Sequence, residues 1–253
     1  MNEKNLPIDK LSKEIISKIK MIVFDVDGVI VPKGTKIKQD ENSLMINIKK
    51  IPFEQIAMIK ELYEKGFHLN ISSGRGLYML QNMFREVLPF VSLTFENGSA
   101  TWHKGKIHQH INSFEKLKEV HTKLIKVKDN KIKGFEPKEF IITIHCTDRV
   151  EEIEKIISNY KDLYGLWNGE AYDIGIKSVQ TKALGVESLM ELLKLNKEQV
   201  MAIGDNYNDK ELLEASGITI SADKEILDGN FYIALNENKL PAHVLMNKIL
   251  SEI

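Results

Sequence analysis

Apolar positions follow a repeating order along this chain, helical spacing and then a short unbroken run. Leu11, Ile15, Ile16 and Ile19 recur at three and four residues and lead into MIVFDV at 21–26, which predicts a buried strand. FEQIAMIKELYEKG at 53–66 repeats the helical period, Gly66 supplies its stop, and FHLNIS at 67–72 is rich in strand formers. The pairing returns at 76–88 with 91–95, at 181–194 with VMAI at 200–203, and at 207–215 with GITI at 217–220. Short strands apolar on both faces, alternating with helices, predict an α/β fold with a doubly wound parallel sheet.

From about 105 to 178 the rhythm changes. Charged helices at 113–126 and 149–160 mix with strands at 139–145, 163–167 and 171–176, the pattern of an α+β insertion. The expected organisation is therefore a core made of 1–104 and 179–253, interrupted by a second domain at 105–178. The flanks HKGK at 103–106 and GIKSVQTK at 175–182 are too short for flexible linkers, so the two parts should touch and hinge.

Composition narrows the partners. The 35 basic and 36 acidic residues nearly cancel, which gives no electrostatic case for binding nucleic acid or an anionic membrane. Cys146 is the only cysteine, so an internal disulfide or a multi-cysteine metal cluster is excluded and a reducing compartment is expected. Charges punctuate the N-terminus and every later apolar segment, and the expectation is a soluble, cytoplasmic protein.

Four segments place polar residues just after predicted parallel strands, where open α/β sheets assemble their sites. DVDGV at 25–29 sets Asp25 and Asp27 two residues apart, which at strand spacing would aim both carboxylates the same way. Two such charges about 4 Å apart repel by about 4 kcal/mol at an effective dielectric near 20, roughly three pKa units, and a cation relieves this. GDNYNDKELL at 204–213 brings Asp205 and Asp209 to a helix entrance, where acids also serve as caps. Together these hard oxygen ligands suit Mg²⁺. ISSGR at 71–75 offers the Ser73 hydroxyl and the Gly74 backbone to a phosphate, and VQTKALG at 179–185 offers the Lys182 charge at a helix start.

In this order, DVDGV, SSGR, the Lys182 segment and GDNYND resemble the four motifs of the haloacid dehalogenase (HAD) superfamily, over about residues 21–104 and 179–253. The resemblance implies Asp25 as nucleophile on phosphorus and Asp27 as acid and base. It implies Ser73, Gly74 and Lys182 as phosphate ligands, and Mg²⁺ held by Asp25, the Asp27 backbone carbonyl and Asp205, with Asp209 in support. The implied activity is a Mg²⁺-dependent phosphatase for a small phosphorylated metabolite, a sugar phosphate or a phosphoglycolate-like ester, through an aspartyl phosphate. A phosphomutase would use the same chemistry, and a phospho-accepting signalling receiver uses a related one without needing the second aspartate, GDNYND or the insertion.

The insertion's position is similar to the large cap of the Cof-like and sucrose-phosphatase-like branch, and FENGSATW at 95–102 resembles the segment where that branch leaves the core sheet. One departure is the long stretch 31–52, whose alternation around 44–51 predicts a hairpin flap similar to that of capless phosphatases acting on sugar-acid phosphates. Other conspicuous residues read as structural. His103, His108 and His110 lack carboxylate or cysteine partners at a metal-site spacing, and Trp102 and Trp167 read as packing, with a cleft-facing Trp167 as the alternative. Arg75 reads as a structural pairing residue, with a reach to the phosphate or a flanking carboxylate as the alternative.

Overall fold

The computed structural model describes residues 4–234 and 239–253; residues 1–3 and 235–238 of the expected core lie outside them. Strand β1 (Leu6–Pro7) and helix α1 (Lys13–Lys18) precede β2 (Met21–Asp25), the hairpin of β3 (Lys36–Gln39) and β4 (Leu44–Asn47), and α2 (Phe53–Glu64). Next come β5 (His68–Ser72), α3 (Leu77–Met83), β6 (Val91–Phe95), β7 (Ala100–His103) and β8 (Lys106–Gln109). A separate group follows, α4 (Phe114–Leu124), β9 (Ile132–Glu136), β10 (Ile142–Cys146), α5 (Glu151–Ser158), β11 (Leu163–Trp167) and β12 (Ala171–Ile176). The chain closes with α6 (Lys182–Leu193), β13 (Val200–Gly204), α7 (Lys210–Glu214), β14 (Ile218–Ser221), β15 (Phe231–Tyr232) and α8 (Pro241–Glu252).

Nine strands form the central sheet in the order β1-β15-β14-β13-β2-β5-β6-β7-β8, parallel as far as β6, with β7 and β8 antiparallel. β2 lies between β5 and β13, and its alternate side chains enter two different cores. Ile22 and Phe24 pack among residues of α1, α2 and α8, whereas Met21 and Val23 pack with Val186, Leu189, Leu212 and Leu213 of α6 and α7. That double burial is why the strand is an unbroken apolar run. The chain winds outward from β2 through β5 and β6 on one side and returns through β13 and β14 on the other. The carboxyl end of β2 is therefore a topological switch point, where α/β sheets open a crevice.

The second sheet is antiparallel, ordered β11-β12-β10-β9. One face, with Ile142, Ile144, Cys146, Tyr172, Ile174 and Ile176, packs on Leu117, Val120 and Leu124 of α4 and Ile153 and Ile157 of α5. β9 was absent from the sequence-based elements because KIKGFE has too few apolar positions to show alternation. β10 begins at Ile142 rather than 139, since the amides of Glu139, Phe140 and Ile141 donate to the Glu96 carboxylate and not to a strand ladder. Likewise the helix expected over 76–88 stops at Met83 and continues as a tighter turn, Arg85–Phe90, that contains Pro89.

The flap hairpin spans Lys36–Asn47, somewhat before the expected 44–51, and Gln39 Oε1 accepts the amide of Phe135 on β9 at 2.8 Å. β8, in the stretch 105–178, stays on the edge of the central sheet. Among the described residues no helix is long and apolar enough to cross a membrane.

Candidate active site

Asp25 is the last residue of β2, buried at the crevice. Lys182, the first residue of α6, is also buried; its Nζ donates to Asp25 Oδ1 at 2.5 Å and to Asp209 Oδ1. Asp209 is wholly buried, and its Oδ2 accepts the amides of Asp205 (3.0 Å) and Asn206 (3.2 Å), closing the loop after β13. Both oxygens of Asp209 are thus committed to holding Lys182 and the loop. Asp25 Oδ2 and Asp205 Oδ1 take no donor among the described residues, while Lys33 Nζ from the loop before the flap lies 2.6 Å from Asp205 Oδ2. Ser73 is buried just beyond β5; its Oγ accepts the Arg75 amide at 3.2 Å, which leaves the hydroxyl proton to donate elsewhere.

Asp27 departs from the strand-spacing expectation. β2 ends at Asp25 and the chain turns through Gly28 at φ +87°, so Asp27 is not aligned with Asp25 by strand alternation. Its carboxylate is gripped by Arg75, with Nε donating to Oδ2 at 2.8 Å and Nη2 to Oδ1 at 2.5 Å. Asp25, Asp27, Ser73, Gly74, Lys182 and Asp205 nevertheless line one cleft of about 240 Å³, room for a small molecule about eight waters in size.

Burial raises the Asp25 carboxyl above the ordinary carboxylate range, Asp209 adds to the rise, and Lys182 opposes it. Lys182 is raised as well: burial works against its charge, and Asp209 and Asp25 overcome that. Burial also raises Asp205, against the pull of Lys33. Surplus negative charge is thus concentrated at one point, with a carboxylate oxygen from each of Asp25, Asp205 and Asp209 within 4.8 Å of one another. Hard, crowded carboxylate oxygens at a strand-end crevice fit a divalent cation.

The sequence matches haloacid dehalogenase-like hydrolases over residues 22–126 and 106–226. The chain belongs to this family. It is 26% identical over 236 residues to phosphoglycolate phosphatase 1 of Saccharolobus solfataricus, covering 92% of this chain and 96% of that protein. Among solved structures it is similar to a HAD/Cof-like hydrolase from Plasmodium vivax, at a TM-score of 0.70 and 16% identity, covering 94% of this chain and 99% of the other. It is similar too to a HAD subclass IIB sugar phosphatase, at a TM-score of 0.64 and 17% identity, covering 92% and 100%. The protein is a haloacid dehalogenase-like hydrolase with the fold of the Cof-like structure, and HAD phosphatases generally use a divalent metal.

Several cleft residues of this hydrolase had no counterpart in the motif reading. Lys33 comes from the pre-flap loop, Glu136, Thr143, His145 and Asp173 come from the second sheet, and Lys138 and Glu170 from the loops that join its strands. The available signal was the polar parity of ITIHC and AYDIGI, in which Thr143, His145 and Asp173 interrupt otherwise apolar strands. Other candidates stay apart from the site. Trp167 stacks on Tyr172 with ring centroids 4.8 Å apart, the His103 ring lies 5.1 Å from that of His68, and His110 Nε2 lies 3.0 Å from Thr101 Oγ1.

Proposed function

We propose that this enzyme hydrolyses small phosphomonoesters with Mg²⁺, through an aspartyl phosphate on Asp25. The observation that carries this reading is the buried Asp25–Lys182–Asp209 chain at the mouth of β2, with Ser73 and Asp205 lining the same cleft. Asp25, Asp205 and the Asp27 backbone carbonyl would hold Mg²⁺, with Asp209 in support, and the ion would offset the charge of the phosphate dianion.

Asp25 attacks phosphorus through a carboxylate oxygen. As that bond forms, the phosphorus bond to the ester oxygen breaks, and Asp27 gives its proton to the departing alkoxide. A water then attacks the phosphoryl group, Asp27 takes the water's proton, and cleavage from Asp25 releases phosphate and restores the carboxylate. Lys182 and the Ser73 hydroxyl, with the Gly74 backbone, hold the phosphoryl oxygens, so catalysis rests on positioning and charge. Within 105–178, the part that follows the edge strand β8 serves as a cap that excludes water and contacts the leaving group. The substrates lie among small phosphorylated metabolites, the class to which both the phosphoglycolate named for the relative and the sugar phosphates named for the solved structure belong.

Phosphate release from p-nitrophenyl phosphate tests the reading. Release should require Mg²⁺, stop in excess chelator and vanish in Asp25→Asn; an Asp25→Asn enzyme with unchanged turnover would refute the covalent mechanism.

A further inference from the structure

The wall of the cleft that faces Asp25 is the second face of the four-stranded sheet. Alternation turns Ile142, Ile144 and Cys146 toward α4 and α5, and leaves Thr143 and His145 on the cleft side of β10. Register places Glu136 and Asp173 on either side of Thr143, and Gly134 and Ala171 on either side of His145. A charged row thus crosses the sheet beside a row whose outer members are small.

That wall has spent its cations. Buried Lys138 donates to Thr143 Oγ1 at 2.5 Å and lies 3.2 Å from Glu136 Oε1 and 3.6 Å from Asp173 Oδ1. Thr143 donates its own proton to Asp173 Oδ1, and His145 Nε2 lies 2.9 Å from Glu136 Oε2. Across the whole cleft the other cations are paired as well, Lys33 with Asp205, Arg75 with Asp27 and Lys182 with Asp25 and Asp209. The groups left over on the wall are acceptors. Glu136 Oε1 is buried against Lys138 alone, and Asp173 Oδ2 makes no hydrogen bond among the described residues. The Glu170 side chain at the cleft is likewise unpaired among them.

Asp173 Oδ2 also sits beside the Ser73–Gly74–Arg75 loop: a Cβ placed on Gly74 would lie 3.6 Å from it. The free acceptor is therefore next to the place where the proposed reaction holds the phosphoryl group. A substituent one carbon from the ester oxygen would meet it first.

We propose that Asp173, with Glu136 behind it, selects phosphate esters whose alcohol carries neutral hydroxyl groups and rejects those whose alcohol carries a carboxylate. This rests on the phosphatase mechanism above. A polyol presents O–H donors to the wall's free acceptor, whereas a carboxylate has no proton to give and faces Glu136, Glu170 and Asp173, whose neighbouring cations Lys138 and Arg75 are already paired. Phosphoglycolate, with its carboxylate one carbon from the ester oxygen, would be a poor substrate.

The test compares kcat/KM for glycerol 3-phosphate and glucose 6-phosphate with that for 2-phosphoglycolate, with p-nitrophenyl phosphate as an undemanding reference. In the native enzyme the better polyol ester should exceed phosphoglycolate by about tenfold or more, the size of one hydrogen bond to a charged group. Asp173→Asn keeps an acceptor toward Thr143 and should shrink that ratio by about tenfold, mostly through KM. Glu170→Lys, at an exposed position, should raise phosphoglycolate turnover relative to the polyol esters even if Asp173→Asn folds poorly. Preference of the native enzyme for phosphoglycolate, or an unchanged ratio in both variants, would overturn the assignment while leaving the phosphatase mechanism standing. Loss of all Mg²⁺-dependent release, p-nitrophenyl phosphate included, would instead overturn the mechanism, and this inference with it.

Discussion

Arg75 holds Asp27 through two parallel hydrogen bonds, a fork that fixes both the position and the plane of the carboxylate. Because Asp27 lies past the end of β2, no strand geometry orients it, and Arg75 takes over that task. Replacing Arg75 by Met should lower kcat by roughly tenfold to a hundredfold with a smaller change in KM, as expected when a proton-transfer group loses its aim. Steady-state kinetics on p-nitrophenyl phosphate checks this; an Arg75→Met enzyme with native kcat would show that Asp27 needs no such support.

Asp209 acts on the site through Lys182. Asn at position 209 would keep acceptors for the amides of Asp205 and Asn206 but remove the charge that balances Lys182 beside Asp25. Breaking one arm of a buried ion pair costs about 3 kcal/mol, so Asp209→Asn should unfold at visibly lower urea and lose most activity. Equal urea midpoints for the two proteins would contradict this.

The helix that presents Lys182 is set by a close backbone approach. Gly98 has φ +80°, and a Cβ there would lie 2.1 Å from the Thr181 carbonyl oxygen. Gly34 has φ +114° but no neighbour within 4 Å of its would-be Cβ. Gly98→Ala should therefore cost several kcal/mol and displace Lys182, whereas Gly34→Ala should cost only about 1 kcal/mol of backbone strain. Paired thermal melts and activity assays of the two variants decide it, and equal effects would argue against the contact.

His68 supplies a pH dependence away from the chemistry. Burial, with the nearby His103 and Lys104, pulls its pKa from 6.5 down to about 4. The folded state therefore binds this proton less readily than the unfolded chain does. The stability concerned is intact above pH 6.5 and is lost as pH falls toward 4, by at most about 3 kcal/mol. His68→Gln, which keeps a side-chain amide near Ser92, should flatten stability between those values, as read from urea midpoints against pH.

Much of this was legible in the chain. Each parallel strand had to be apolar on both faces, so MIVFDV and VMAI announced themselves, and Asp25, Ser73, Lys182 and Asp205 followed at strand ends and helix starts, where local sequence is enough to place them. β9 was hidden because it has few apolar positions and its buried Glu136 lines the cleft, against the usual rule that polar positions face water. Arg75 was seen as a cation near the site, but which carboxylate it would take depended on where the turn after β2 carried Asp27.

By itself the sequence determined the alternation of helices and strands and the polar residues that fall at strand ends and helix starts, since these depend on periodicity and spacing within short segments. Only the tertiary structure decided which partners those residues take: Lys182 between Asp25 and Asp209, Lys33 on Asp205, and the Glu136, Lys138 and Asp173 row opposite them. Ion pairs between residues as far apart as Asp25 and Lys182 depend on how separate elements dock. No local pattern encodes that distance, and the charge left over after pairing appears only once every pair has formed.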